Sequence, residues 1–167
     1  MTNFKRCGVA LLLSMVLTLC EASIGSAACT NVGTPISLPI KLPINLVVID
    51  QFRAPSCKWC TGNRGIEYRT EPGSIVTAAA GGIASFVGNV AGTNYVVVKT
   101  INNLLVTHGR LRSVLVKSGA VVAVGQSIGV AGESLYIGVR VNGQYVDPRQ
   151  CAGLGSMGKP RAVLVAG

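Results

Sequence analysis

Between about residues 46 and 146 the chain is written in short apolar runs broken by glycine, asparagine and single polar positions. No stretch repeats at i, i+3 and i+4 behind a capping residue. That grammar predicts strands and turns rather than helices. Val96-Val97-Val98-Lys99-Thr100 and Leu104-Leu105-Val106-Thr107 flank Asn102-Asn103, residues that tolerate the left-handed backbone of a tight hairpin. Val139-Arg140-Val141 and Gln144-Tyr145-Val146 flank Asn142-Gly143, a stronger form of the same signal. Val114-Leu115-Val116, Val121-Val122-Ala123-Val124 and Ser127-Ile128-Gly129-Val130 continue the series, separated by Gly119 and Gly125. The expected fold is therefore all-β, an antiparallel sheet or β-sandwich of short strands, over residues 51–152.

The flanks follow other rules. Lys5 and Arg6 precede an apolar stretch over residues 8–19, and Gly25-Ser26-Ala27-Ala28 follows, the layout of a signal peptide at residues 1–28 cleaved after Ala28. An apolar run of about 12 residues falls short of the ~20 a spanning helix needs. A lipid anchor is the minority reading, because bulky Leu19 precedes Cys20 and Cys29 lies far from the apolar stretch. Residues 29–50 form an extended arm in which Pro35, Pro39 and Pro43 disfavour helix and Ile36, Leu38, Ile40, Leu42 and Ile44 are expected to anchor it. Whether the anchoring surface belongs to the same chain or to a partner stays open. Residues 153–167 read as a glycine-rich tail whose Ala162-Val163-Leu164-Val165 offers one edge strand.

With 49% hydrophobic and 13% charged residues, the chain is suited to a packed domain rather than a disordered polymer. Loss of residues 1–28 removes Lys5, Arg6 and Glu21 and leaves a formal charge of +8 where the full chain has +9. Such a surface favours anionic partners in the periplasm or cell envelope: wall glycans, acidic headgroups or an acidic protein. The basic residues are scattered and few aromatics accompany them, so specific nucleic-acid binding is not expected. Cys29, Cys57, Cys60 and Cys151 remain after export and allow up to two disulfides in three full pairings. Cys57-Lys58-Trp59-Cys60 has dithiol spacing but lies in a loop context after Ala54-Pro55-Ser56, where a structural bridge is expected rather than a redox pair. A single CxxC also lacks the second ligand pair of a zinc ribbon.

Gly65-Ile66-Glu67-Tyr68, then Pro72-Gly73-Ser74-Ile75-Val76-Thr77-Ala78 and Gly81-Gly82-Ile83-Ala84, open a succession of motifs. His108-Gly109-Arg110-Leu111 and Gly125-Gln126-Ser127-Ile128-Gly129 continue it, and Leu135-Tyr136-Ile137-Gly138-Val139-Arg140-Val141-Asn142-Gly143 closes it before Asp147-Pro148. In this order, over about half the chain, the motifs resemble the lysostaphin-type (LytM-like) zinc peptidases. The resemblance implies the peptidase core of that family, related to duplicated hybrid motifs.

It also implies a site. The family's first zinc ligand falls on Asn63 and its aspartate ligand on Glu67, while the two histidines of the closing motif fall on Ser134 and Tyr136. The catalytic histidine falls on Arg110, with His108, the single histidine of the chain, two positions earlier. A catalytic zinc needs about three good protein ligands and an open position for water. An amide, a neutral phenol and a permanently charged guanidinium do not supply them. The resemblance thus points to a degenerate peptidase domain with no catalytic residue, no metal and no cofactor. Its vestigial groove would comprise Asn63, Glu67, His108, Arg110, Ser134 and Tyr136, with Glu67 and Arg110 either paired or separately solvated. His108 is expected to be a hydrogen-bonded structural residue, and Trp59 to bury against the cysteines, with sugar stacking as its functional alternative. The implied work is binding of peptidoglycan or of an envelope protein, and the arm favours the protein slightly, because an extended apolar segment can dock by strand addition. An active zinc peptidase with a rearranged site is the rival reading, and disulfide exchange through Cys57 and Cys60 a third. Hammerhead-type carrier domains share the turn pattern, but no Met-Lys pair is present to carry a cofactor.

Overall fold

The computed structural model describes residues 29–31, 34–35 and 40–152. The expected signal peptide and its cleavage site, the anchors Ile36 and Leu38, and the edge strand expected in the tail lie outside the described residues. The strands are β1 (Thr30–Asn31), β2 (Thr34–Pro35), β3 (Val48–Asp50), β4 (Gly65–Arg69), β5 (Ile75–Thr77), β6 (Gly82–Val90), β7 (Thr93–Lys99), β8 (Leu105–Val114), β9 (Val121–Val122), β10 (Ser127–Val141) and β11 (Gln144–Val146). One helical turn, α1 (Pro148–Cys151), follows them.

β1 and β2 pair as a separate ribbon. All other strands join one antiparallel sheet in the order β3-β4-β10-β8-β7-β6-β9, with β5 and β11 pairing to further stretches of β10. The fold is all-β, as the apolar pattern predicted. The two apolar pieces expected at 127–130 and 139–141 belong to a single 15-residue strand, carried through a register shift against β8 between Ala131 and Tyr136. Alternation along this strand sets the two faces of the sheet. Leu135, Ile137, Val139 and Val141 are buried, whereas Ser134, Tyr136 and Arg140 are only partly so.

Both expected hairpins form. Lys99 pairs with Leu105 around Asn103, whose φ is +60°, and Val141 pairs with Gln144 around Asn142 and Gly143 at φ +50° and +80°. On the covered face Ile66, Val76, Ala84, Val96, Val98, Val106, Ile137 and Val139 make the core. Residues 78–80 lie over it, each buried, and the arm is fastened to them by the Lys41 N–H donating to the Ala79 carbonyl at 2.8 Å. Ile40 is buried and Leu42 and Leu46 pack against the core, so this part of the arm docks on its own chain. Ile44 departs from the expectation and is exposed.

Two disulfides form. Cys29–Cys151 joins the start of the arm to α1 across 122 residues, and Cys57–Cys60 closes the loop before β4. The helical turn went unread in the sequence although its signals are present: Asp147 caps it by accepting from Arg149 N–H at 3.0 Å, and Pro148 occupies the first turn. Among the described residues no helix is long and apolar enough to cross a membrane.

Candidate functional site

Three neighbouring strands build the uncovered face of the sheet. Tyr136 on β10 sits opposite Glu67 on β4 and opposite Gly109 on β8, and Ser134 sits opposite Arg69 one step along the same face. Between the Ala131–Leu111 and Tyr136–Gly109 pairs, residues 132–135 of β10 face Arg110 alone on β8. Arg110 takes up this mismatch with φ +62°, a left-handed conformation that costs a non-glycine residue roughly 1–2 kcal/mol. The bulge breaks the alternation of β8. Arg110, which regular alternation would turn inward like His108, instead reaches across β10 to Glu67, Nη2 to Oε1 at 2.6 Å. The pairing left undecided by the sequence is therefore made.

Tyr136 lies over a floor of glycines. A Cβ placed on Gly65 would come within 2.6 Å of the Tyr136 ring, one on Gly138 within 2.9 Å, and one on Gly109 within 3.3 Å of it and 2.5 Å of the Tyr95 ring. The rings take space that side chains at those positions would fill. Burial pushes the Tyr136 phenol pKa up; Tyr145, Tyr95 and Glu67 add to the effect and Arg64 opposes it. The phenol stays neutral.

Asn63 enters β4 from a two-bond bridge with Arg53, N–H to carbonyl at 2.9 and 3.0 Å. It is buried, its Oδ1 accepts from Gly65 N–H at 3.2 Å, and its Nδ2 has no hydrogen-bond partner. Asp50, which pairs with Glu67 across β3 and β4, is bonded to Arg53. That guanidinium holds the Asp50 carboxyl below its ordinary value, with Asn63 a minor contributor.

His108 is placed elsewhere. It pairs with Ile137 and Val96, points into the core and is fully buried. Its Nε2 accepts from the Ala79 N–H at 2.9 Å, which leaves the proton of the neutral ring on Nδ1. Burial pushes its pKa down to about 4, opposed in part by the Val96 backbone. The groove expected to include His108 thus keeps Glu67, Arg110, Ser134 and Tyr136 on one face with Asn63 at its end, and loses the histidine to the opposite face. The physical reason is strand alternation, since His108 falls in phase with Val106 and Val98.

A divalent metal of the kind the peptidase resemblance implies does not fit these residues. Glu67 offers a carboxylate but Arg110 occupies it, and the neighbouring Asp50 is taken by Arg53; the Asn63 oxygen is engaged by the backbone; Tyr136 offers a neutral phenol. Among the described residues no group of three histidine, cysteine, aspartate or glutamate side chains is placed to hold a metal ion.

Sequence reasoning missed Tyr95, Tyr145, Arg64 and Arg140. The Asn142-Gly143 hairpin did contain a signal, because its register sets Arg140 opposite Tyr145 and β10 alternation puts Arg140 on the Tyr136 face. Trp59 corrects another expectation. It is 86% exposed rather than buried on the disulfide, because the short 57–60 ring turns its middle residues outward.

The profile of peptidase family M23 matches residues 61–148. Among solved structures, a variant of the catalytic domain of the prophage-encoded M23 protein EnpA from Enterococcus faecalis superposes with a TM-score of 0.57 at 22% identity, over 67% of this chain and 95% of that one. The catalytic domain of the antimicrobial peptidase lysostaphin from Staphylococcus simulans gives 0.58 at 18% identity, over 66% and 94%. A zinc-containing peptidase from Vibrio cholerae gives 0.56 at 23% identity, over 66% of this chain but only 37% of that one. At these identities the likeness is one of fold. No protein of curated function matches the chain.

Proposed function

The chain belongs to peptidase family M23, and from that premise we propose that it is an exported, non-catalytic envelope protein whose groove binds peptidoglycan without cutting it. The observation that carries this reading is the Arg110–Glu67 pair across β10. It sets a cation where a general base would stand and neutralises the carboxylate that would help to hold a dication. The groove face remains rich in hydrogen-bonding groups, and the basic surface suits a wall polymer. Docking of Ile40, Leu42 and Leu46 on their own core weakens the case for the arm as a strand-donating link to another envelope protein, and so favours the wall as ligand.

The rival reading, a zinc peptidase with a rearranged site, would draw on Glu67, His108 and the cysteines. Each is otherwise engaged: Glu67 by Arg110, His108 by Ala79 in the core, and the four described cysteines by each other. Metal analysis of the oxidised mature protein, run alongside sedimentation with purified peptidoglycan, tests the proposal. Metal-free protein that sediments with the wall and releases no fragments is expected. Stoichiometric zinc with chelator-sensitive cleavage would overturn it.

A further inference from the structure

The Cys57–Cys60 loop and the β10–β11 hairpin enclose a second recess beyond the tyrosine floor, about 930 Å³ in volume. Lys58 and Trp59 line it from the loop, Arg64 from the approach to β4, and Arg140 and Tyr145 from the hairpin. It has three positive charges and no carboxylate. The described acidic residues are Asp50, Glu67, Glu71, Glu133 and Asp147; Asp50, Glu67 and Asp147 pair with Arg53, Arg110 and Arg149, and none of these described ion pairs involves Lys58, Arg64 or Arg140. The recess is therefore a pocket of uncompensated charge.

Two of its three cations, Arg64 and Arg140, are partly buried and held in place. Arg64 Nη2 donates to the Lys58 carbonyl at 2.8 Å, which ties the guanidinium to the disulfide loop. The guanidiniums of Arg64 and Arg140 stand 5.9 and 5.4 Å from the centre of the Tyr145 ring, and Arg140 Nε is buried with no hydrogen-bond partner. Two guanidiniums on one ring would repel each other, a cost that an anion between them removes. Trp59 stands exposed at the rim with Lys58 Nζ 4.9 Å from its ring centre. The 57–60 disulfide and the Arg53–Asn63 bridge fix the base of the loop that presents it. An exposed indole offers a flat apolar surface, and guanidinium forks match carboxylates in bidentate geometry. One ligand that uses both features is a sugar ring carrying a peptide with free carboxylates.

We propose that this recess binds an acidic muropeptide, its sugar ring on Trp59 and its peptide carboxylates on Arg64 and Arg140. The assignment rests on the wall-binding reading for the source of the ligand. It adds a specificity, namely that free carboxylates are recognised and amidated ones are not.

Titration calorimetry of the full oxidised protein with a disaccharide tetrapeptide, as the free acid and with its carboxylates amidated, tests it. Amidation is expected to weaken binding by about tenfold or more, the loss of one charge-assisted contact. Arg140→Gln and Arg64→Gln should each bring the free acid down toward the amidated form, and Arg140→Lys should recover part of the loss. Trp59→Ala should weaken both ligands alike, and Lys117→Gln, at an exposed lysine in the turn between β8 and β9 and away from both groove and recess, should change neither. Near-UV circular dichroism of each variant separates a lost contact from a lost fold. If wild-type protein sediments with the wall while amidation and these substitutions leave affinity unchanged, the recess is overturned and the wall-binding reading stands. If wild-type protein binds neither wall nor muropeptide, both fall. A glutamate-rich peptide that binds more tightly than the muropeptide would overturn the ligand assignment.

Discussion

The two faces of β10 carry interleaved residues to opposite ends. Leu135, Ile137 and Val139 point inward and meet His108, Val106 and Val96 in a sealed core; Ser134, Tyr136, Gly138 and Arg140 point outward over glycines and charged neighbours. On the inner face the only imidazole in the chain serves the fold, fastening residues 78–80 and through them the arm. On the outer face the positions that resemble a metal site hold an amide, a paired carboxylate and a neutral phenol. The comparison teaches that one strand serves packing on one side and polar chemistry on the other, so that register alone decides whether a side chain such as the His108 imidazole joins the core or the groove.

The largest test of this division is the pair of disulfides. Cys29–Cys151 belongs to the covered side and spans 122 residues, while Cys57–Cys60 belongs to the recess and spans three. Replacing the first pair by serine should cost about 4–5 kcal/mol and replacing the second about 2 kcal/mol, measured by urea unfolding. An equal or reversed loss would mean that the recess side carries the stability.

Next comes acid. The folded pKa of His108, about 4, lies below its ordinary value of 6.5, so the unfolded chain takes up the proton first as pH falls. Stability is then full above about pH 6.5 and declines to about pH 4, by roughly 3 kcal/mol in all. In His108→Gln that portion of the pH dependence should vanish. A pH profile identical to wild type would remove His108 from the core account.

On the groove face, Gly65→Ala should destabilise by about 2 kcal/mol, since the added methyl meets the Ile137 carbonyl and the Tyr136 ring. Thermal unfolding with no change in midpoint would show the tyrosine floor to be loose. The smallest effect is expected at Arg110→Gly. Relief of the left-handed backbone contributes roughly 1 kcal/mol, and loss of the half-exposed ion pair costs up to about 1 kcal/mol, so the net change is near zero. A loss above about 2 kcal/mol would mean that the pair holds the neighbouring strands together.

Much of this was legible beforehand. The hairpins at Asn102-Asn103 and Asn142-Gly143 are local devices, set by residues that accept positive φ, and both formed where turn chemistry placed them. The resemblance placed Glu67 and Tyr136 in one groove, but their direct opposition on β4 and β10 is a matter of register that it did not give. Less legible was Arg110, whose side depends on a bulge of four residues against one that no local rule announces. Trp59 was misjudged for a related reason: hydrophobicity argues for burial, but a ring closed over three residues leaves little interior to bury it in.

By itself, the sequence determined the strand class, the turns, the presence of a peptidase-like succession of motifs and the shortage of nitrogen donors, because these rest on residue identity and short spacing. Only the tertiary structure decided which face received His108, that Arg110 crosses β10 to reach Glu67, and that Arg64, Arg140 and Trp59 gather around one recess. Those outcomes depend on register between strands distant in the chain, and register is settled by the packing of the whole sheet rather than by any segment of it.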